Sequence, residues 1–85
     1  MMDCILFKDD GTTKLMKVKD GQLNVNIPNP GSDTYTGYPI KHFDNQSGND
    51  RIVYLIASLD PVSEGEILDA INSLRPQPIE LIQKS

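Results

Sequence analysis

The stretch Arg51-Ile52-Val53-Tyr54-Leu55-Ile56-Ala57-Ser58-Leu59 decides the fold. It is apolar at both odd and even positions, which is the pattern of a strand covered on both faces. The β-branched residues Ile52, Val53 and Ile56, and Pro61 just beyond, argue against a buried helix. In a chain of 85 residues, one such strand implies one small domain built around one sheet, spanning residues 1–85.

On its C-terminal side the sequence predicts a helix over residues 64–74. Ser63 is a suitable N-cap and Glu66, three residues on, completes a capping box. Val62 can pack on Ile67 as a staple, Ile67, Leu68, Ile71 and Leu74 make an apolar stripe, and Pro76 stops the helix. Asp60, Glu64, Glu66 and Asp69 place negative charge at the positive end of the helix dipole, with Arg75 at the other end. Residues 79–83 read as a last strand.

On its N-terminal side the chain reads as short strands. Residues 4–8 are apolar and end at Asp10-Gly11; residues 14–19 put Met16 and Val18 on one face and end at Asp20-Gly21; residues 22–27 alternate, with Leu23, Val25 and Ile27 facing one way. A three-stranded meander is the simplest connection. Residues 28–39 (Pro-Asn-Pro-Gly-Ser-Asp-Thr-Tyr-Thr-Gly-Tyr-Pro) hold three Pro and two Gly and read as one long loop. Residues 40–44 form a short strand, and residues 45–50 a polar turn that takes up the glycosylation-like triplet Asn45-Gln46-Ser47 as turn chemistry. The expected fold is α+β: a mostly antiparallel sheet of five or six short strands, folded flat or as a small sandwich or barrel, with one C-terminal helix.

Composition narrows the chemistry. Eight Lys and Arg against 12 Asp and Glu give a net charge of −4, which disfavours a binder of nucleic-acid backbone. The charge is uneven: residues 1–43 are neutral, and residues 44–85 carry three cations and seven anions. The longest apolar run, residues 52–57, is too short to span a bilayer, and residues 1–8 lack the basic start of a secretory leader, so a reducing, cytoplasmic setting is expected without membrane association. One Cys and one His, far apart, leave no zinc site; residues 44–55 lack the closing Glu of a calcium loop, Leu55 standing there; no phosphate-binding glycine motif is present. No metal and no cofactor are expected. A nucleophile would have to be Cys4 with His42, and an acid/base pair His42 with Asp44, two apart on one strand face. As a free cysteine in an apolar strand, Cys4 reads as a core residue.

The partner surface is the better candidate. Tyr35 and Tyr38 stand among small polar residues in the 28–39 loop, a composition suited to contact area at low entropic cost. Tyr35, Tyr38, Asp33 and His42 are the candidate binding residues for a protein or peptide, with an edge strand able to pair two copies.

Three stretches also carry a family resemblance: Lys17-Val18-Lys19-Asp20-Gly21-Gln22-Leu23 running into Ile27-Pro28; Gly48-Asn49-Asp50-Arg51-Ile52-Val53; and Ile56-Ala57-Ser58-Leu59-Asp60-Pro61. Over about half the chain they resemble an uncharacterised β-rich accessory domain found in larger bacterial proteins beside caspase-like peptidases and kinases. The Phe-Pro-Asn step usual before the first stretch is replaced here by Leu15-Met16. The resemblance implies a β-rich, non-enzymatic binding or regulatory module, and offers no catalytic residues to carry over. The expectation is therefore a non-catalytic interaction module binding through residues 28–44. Its alternatives are a small enzyme using His42 with Asp44 or Cys4, and an acidic decoy presenting Asp60, Glu64, Glu66 and Asp69 to a basic surface.

Overall fold

A computed structural model describes residues 1–47 and 50–83. Six strands and one helix follow in the order β1 (Met2–Phe7), β2 (Thr13–Val18), β3 (Asn24–Pro28), β4 (Tyr35–Ser47), β5 (Asp50–Ser58), α1 (Glu64–Leu74) and β6 (Glu80–Gln83). The five-strand path of the sheet is β2-β1-β5-β4-β3, and β6 pairs with β5 beyond it. The doubly apolar strand is central, as its pattern requires. β5 pairs antiparallel with β4 on one side. On the other it pairs with β6 near its start and with β1 near its end.

Two features of the topology differ from the sequence expectation. The β1–β5 pair is parallel, Cys4 standing opposite Leu55 and Phe7 opposite Ser58, so the sheet is mixed rather than mostly antiparallel. The second concerns the meander. β1 and β2 form the expected hairpin, Gly11 taking φ +89° in its turn, but β2 and β3 are not neighbours and lie at opposite edges. The link 19–23 turns back tightly, Gln22 N–H donating to the Lys19 carbonyl at 3.1 Å, with Gly21 at φ +80°. A flat sheet would hold its two edges about 19 Å apart, four strand spacings. So short and bent a link cannot span that, and the sheet must curl.

The core shows the curl directly. Val18 from one edge and Val25 from the other join Cys4, Leu6, Tyr38, Leu55 and Ala57 in a single buried cluster. The opposite face of the sheet carries Ile5, Phe7 and Ile56, which α1 covers with Ile67 and Ala70. The helix follows its sequence signals: Ser63 caps it, its hydroxyl accepting from Glu66 N–H at 3.3 Å, and Val62 packs in the cluster of Ile67. Ala70, rather than Leu68, completes the buried stripe. Leu23 corrects a further expectation, since it lies in the 19–23 link and is 78% exposed instead of joining Val25 in the core.

Half of residues 28–39 are strand, because Pro28 and Pro39 sit where no ladder N–H is needed. The bonds Asn29 N–H to Thr34 C=O (3.0 Å) and Ile40 N–H to Leu23 C=O (2.9 Å) bracket the β3–β4 ladder and set its alternation. Residues 25 and 27 of β3, like the flanking 23 and 29, therefore bond toward β4, while 24, 26 and 28 point outward, where Pro28 loses nothing. Pro39 stands opposite Asn24 in a non-bonded pair, and the β4–β5 ladder begins one residue later at Ile40 opposite Ala57. Pro39 thus marks where β4 changes partner. Only residues 29–34 remain as loop. β4 also runs through Asn45-Gln46-Ser47, which is strand and not turn; Gly48 and Asn49 of the expected turn lie outside the described residues. The 13 residues of β4, about 43 Å at 3.3 Å each, follow the long axis of a molecule measuring 52 × 25 × 19 Å.

Candidate functional site

Residue spacing separates the residues proposed from sequence. Tyr35 and Tyr38 are three apart on one strand and face opposite sides. Tyr38 belongs to the core at 3% exposure, and its hydroxyl donates to Asp9 Oδ1 at 3.2 Å; burial, then the neighbouring Asp9, raises its pKa. It packs across the sheet as a structural tie. Tyr35 is 66% exposed, and the exposed Asp33 lies beside it in the 29–34 turn. His42 is exposed too, but seven residues along an extended strand place it about 23 Å from Tyr35. Tyr35 and Asp33 share one end of the molecule; Tyr38 and His42 do not join them.

The enzyme alternatives separate in the same way. Leu55 stands opposite both Cys4 and His42, so these two are two strand spacings apart, about 10 Å, with Leu55 between them. Cys4 is fully buried and desolvation pushes its thiol up to about 11, which keeps it protonated and unreactive. Asp44 takes a different partner from the one expected: its carboxylate accepts from Arg51 at 2.8 Å, diagonally across β4 and β5.

Two surfaces remain. The first is the outer face of the β3–β4 hairpin, which α1 leaves uncovered because it packs over β1 and β2. Tyr35 stands there beside exposed Asn24, Asn26, Pro28 and Pro39, with no charged residue in β3. Gly37 faces Asn26, and a Cβ there would meet the Asn26 side chain at 3.1 Å, so the hairpin is tightly built at this rung. The outward Asn24 carbonyl accepts from Gln22 Nε2 at 2.8 Å. The outward Asn24 N–H, Asn26 N–H, Asn26 C=O and Pro28 C=O form an open edge.

The second is a cleft of about 420 Å³ between the β1–β2 turn, the segment leaving β5 and the side of α1. Phe7, Leu59, Pro61, Val62 and Ala70 form its apolar lining, and Asp9, Asp60, Glu66 and Asp69 surround it with Lys8 and the buried Ser58. Sequence reasoning assigned its acids to the helix start and passed over Ser58 and Asp9. The legible signal was Asp69, which lies beyond the first helical turn where the dipole acts.

Among the described residues, no three His, Cys, Asp or Glu side chains are grouped to hold a metal ion. No helix among them is long and apolar enough to cross a membrane. No family model, curated protein or solved structure matches the chain.

Proposed function

We propose that this protein is a non-enzymatic interaction module that takes an extended segment of a partner protein onto the β3 edge, with Tyr35 as side-chain anchor. The observation that carries this reading is the contrast between the two sheet edges. β2 bears Lys14 and Lys17, the charges that commonly discourage strand addition. β3 bears no charge and keeps outward backbone groups at Asn24, Asn26 and Pro28, next to an exposed tyrosine. Main-chain bonds from such an edge supply affinity, and side chains at alternate positions supply selectivity. Cys4, His42 and Asp44, held apart or otherwise engaged, support a non-catalytic role.

Selection of a random peptide library against the full chain tests this. Bound peptides should slow hydrogen exchange at Asn24 and Asn26 amides. Tyr35→Ala should weaken capture, and Asn26→Pro, which removes an outward N–H and no ladder bond, should weaken it at an unchanged melting temperature. Peptides that bind Tyr35→Ala as well as the parent, an empty selection, or self-association through β3 in place of capture would overturn the reading.

A further inference from the structure

We propose that the cleft between the β1–β2 turn and α1 is a binding site for an organic cation: an ammonium or guanidinium group carried on an apolar stem. Its charge comes from separate elements, Asp9 after β1, Asp60 after β5, and Glu66 and Asp69 on α1. The helix dipole accounts for first-turn acids such as Glu64 and Glu66. It does not account for Asp9 or Asp69. The carboxylates of Asp60, Glu66 and Asp69 have no ion pair or hydrogen bond to any described residue. Lys8, the one cation lining the cleft among the described residues, faces Asp10 at 3.9 Å. Four carboxylates against one lysine are under-compensated and repel one another, which a bound cation would relieve.

Ser58 is the independent observation. Its side chain lies on the sheet face that α1 covers, opposite Phe7, and is 3% exposed. Its hydroxyl makes no hydrogen bond with the described residues. No polar side-chain atom there is both sealed and unpartnered, so this oxygen must reach accessible space, and the cleft it lines is that space. A hydroxyl at the base of an acidic cleft accepts one N–H while the carboxylates take the others.

The kind of cation follows from the spread. The carboxylates surround the opening and do not converge into a metal-ligating group. A spread set suits several N–H donors better than a point charge stripped of water. The apolar lining of Phe7, Leu59, Pro61, Val62 and Ala70 gives an alkyl stem a surface, and about 420 Å³ lies within the range of small-ligand pockets.

The test is an NMR titration of the full chain at low salt with 1,5-diaminopentane and, in a second arm, with blocked tripeptides Gly-Lys-Gly and Gly-Arg-Gly. Glutarate and calcium serve as comparison ligands. Saturable shifts should centre on the amides of Gly11, Ser58 and Ala70. Asp60→Asn with Asp69→Asn, both exposed and away from the cap, should weaken binding about tenfold, and Ser58→Ala should weaken it at unchanged melting temperature. Saturation by the diamine alone assigns a free amine; saturation by the tripeptides assigns a basic side chain of another protein. Saturation by neither, a stronger response to calcium or glutarate, or shifts spread equally over Asp33 and Asp44 would overturn the proposal.

Discussion

Replacing Asp3 with alanine should be among the most damaging single polar changes in this protein, and its cost can be built from the contacts. Asp3 is 6% exposed in β1. One carboxylate oxygen accepts from the Gln77 backbone N–H at 2.8 Å, and the other accepts from the Lys17 ammonium on β2. The first bond holds the chain just after α1, and so the position of the helix that walls the cleft. A hydrogen bond to a charged group contributes about 1.5–3 kcal/mol when its partner would otherwise be stranded. Lys17 is 61% exposed, so its pairing adds about 0–1 kcal/mol. Asp3→Ala should therefore cost about 2–4 kcal/mol, on the order of 10–25 °C in melting temperature for a domain this small. Asp3→Asn keeps an acceptor for Gln77 and should cost roughly half as much, and Lys17→Ala no more than about 1 kcal/mol.

The same contacts set a pH dependence. The Gln77 N–H bond, with Lys17 beside it, holds the Asp3 carboxyl below its ordinary value. A depressed folded-state pKa means that the unfolded chain binds more protons as pH falls. The Asp3 contribution is then fully present above the unfolded value of about 3.9 and fades as pH drops from there through the folded value. Urea denaturation followed by circular dichroism at neutral pH and in steps below pH 5 would measure both effects, with Asp3→Asn losing part of the acid sensitivity of the parent. Equal costs for Lys17→Ala and Asp3→Ala, or no cost for Asp3→Ala, would refute the reasoning.

Tyr38→Phe should cost about 0.5–1.5 kcal/mol for the lost bond to Asp9, and Tyr35→Ala no more than about 0.5 kcal/mol; paired thermal melts check the difference. Cys4, with its thiol raised to about 11, should resist a thiol-specific chromogenic reagent at pH 8 and react only after denaturant is added. Arg75 caps α1 in the left-handed region at φ 51°, its N–H donating to Ile71 C=O at 2.9 Å. Arg75→Gly should therefore stabilise by about 0.5–1 kcal/mol, read as a rise in urea midpoint at constant slope.

The legible parts of the fold are those where one residue carries its own geometric consequence. Gly11 turns the β1–β2 hairpin, Ser63 caps α1, and a run apolar on both parities can only be central. Partner choice was not legible. Asp20-Gly21 signals a reversal, and the chain does reverse there, but nothing local says that the two strands it joins lie at opposite edges of one curled sheet. Alternation also ran one residue too far at Leu23, because a period of two cannot say where a strand starts. Pro28 and Pro39 misled for a physical reason: a proline excludes a strand only where the ladder requires its N–H, and the direction of that N–H depends on pairing. The misreading of the loop carried into the site, joining Tyr35 and Tyr38 as one surface when strand alternation puts them on opposite faces.

The parallel β1–β5 pair accounts for the part of the site that no local pattern could show. Two antiparallel neighbours leave the sheet at opposite ends; two parallel neighbours leave it at the same end. Phe7 and Ser58, the last residues of β1 and β5, stand opposite each other. The β1–β2 turn and the segment leading into α1 therefore emerge side by side, and α1 covers the sheet between them. That arrangement alone brings Asp9 and Asp60, 51 residues apart in sequence, to one opening and sets Ser58 beneath the helix. Had β1 met β5 antiparallel, the same residues with the same local signals would have left these acids at opposite ends of the molecule, and the helix dipole would have been a sufficient account of Asp60 and Glu66.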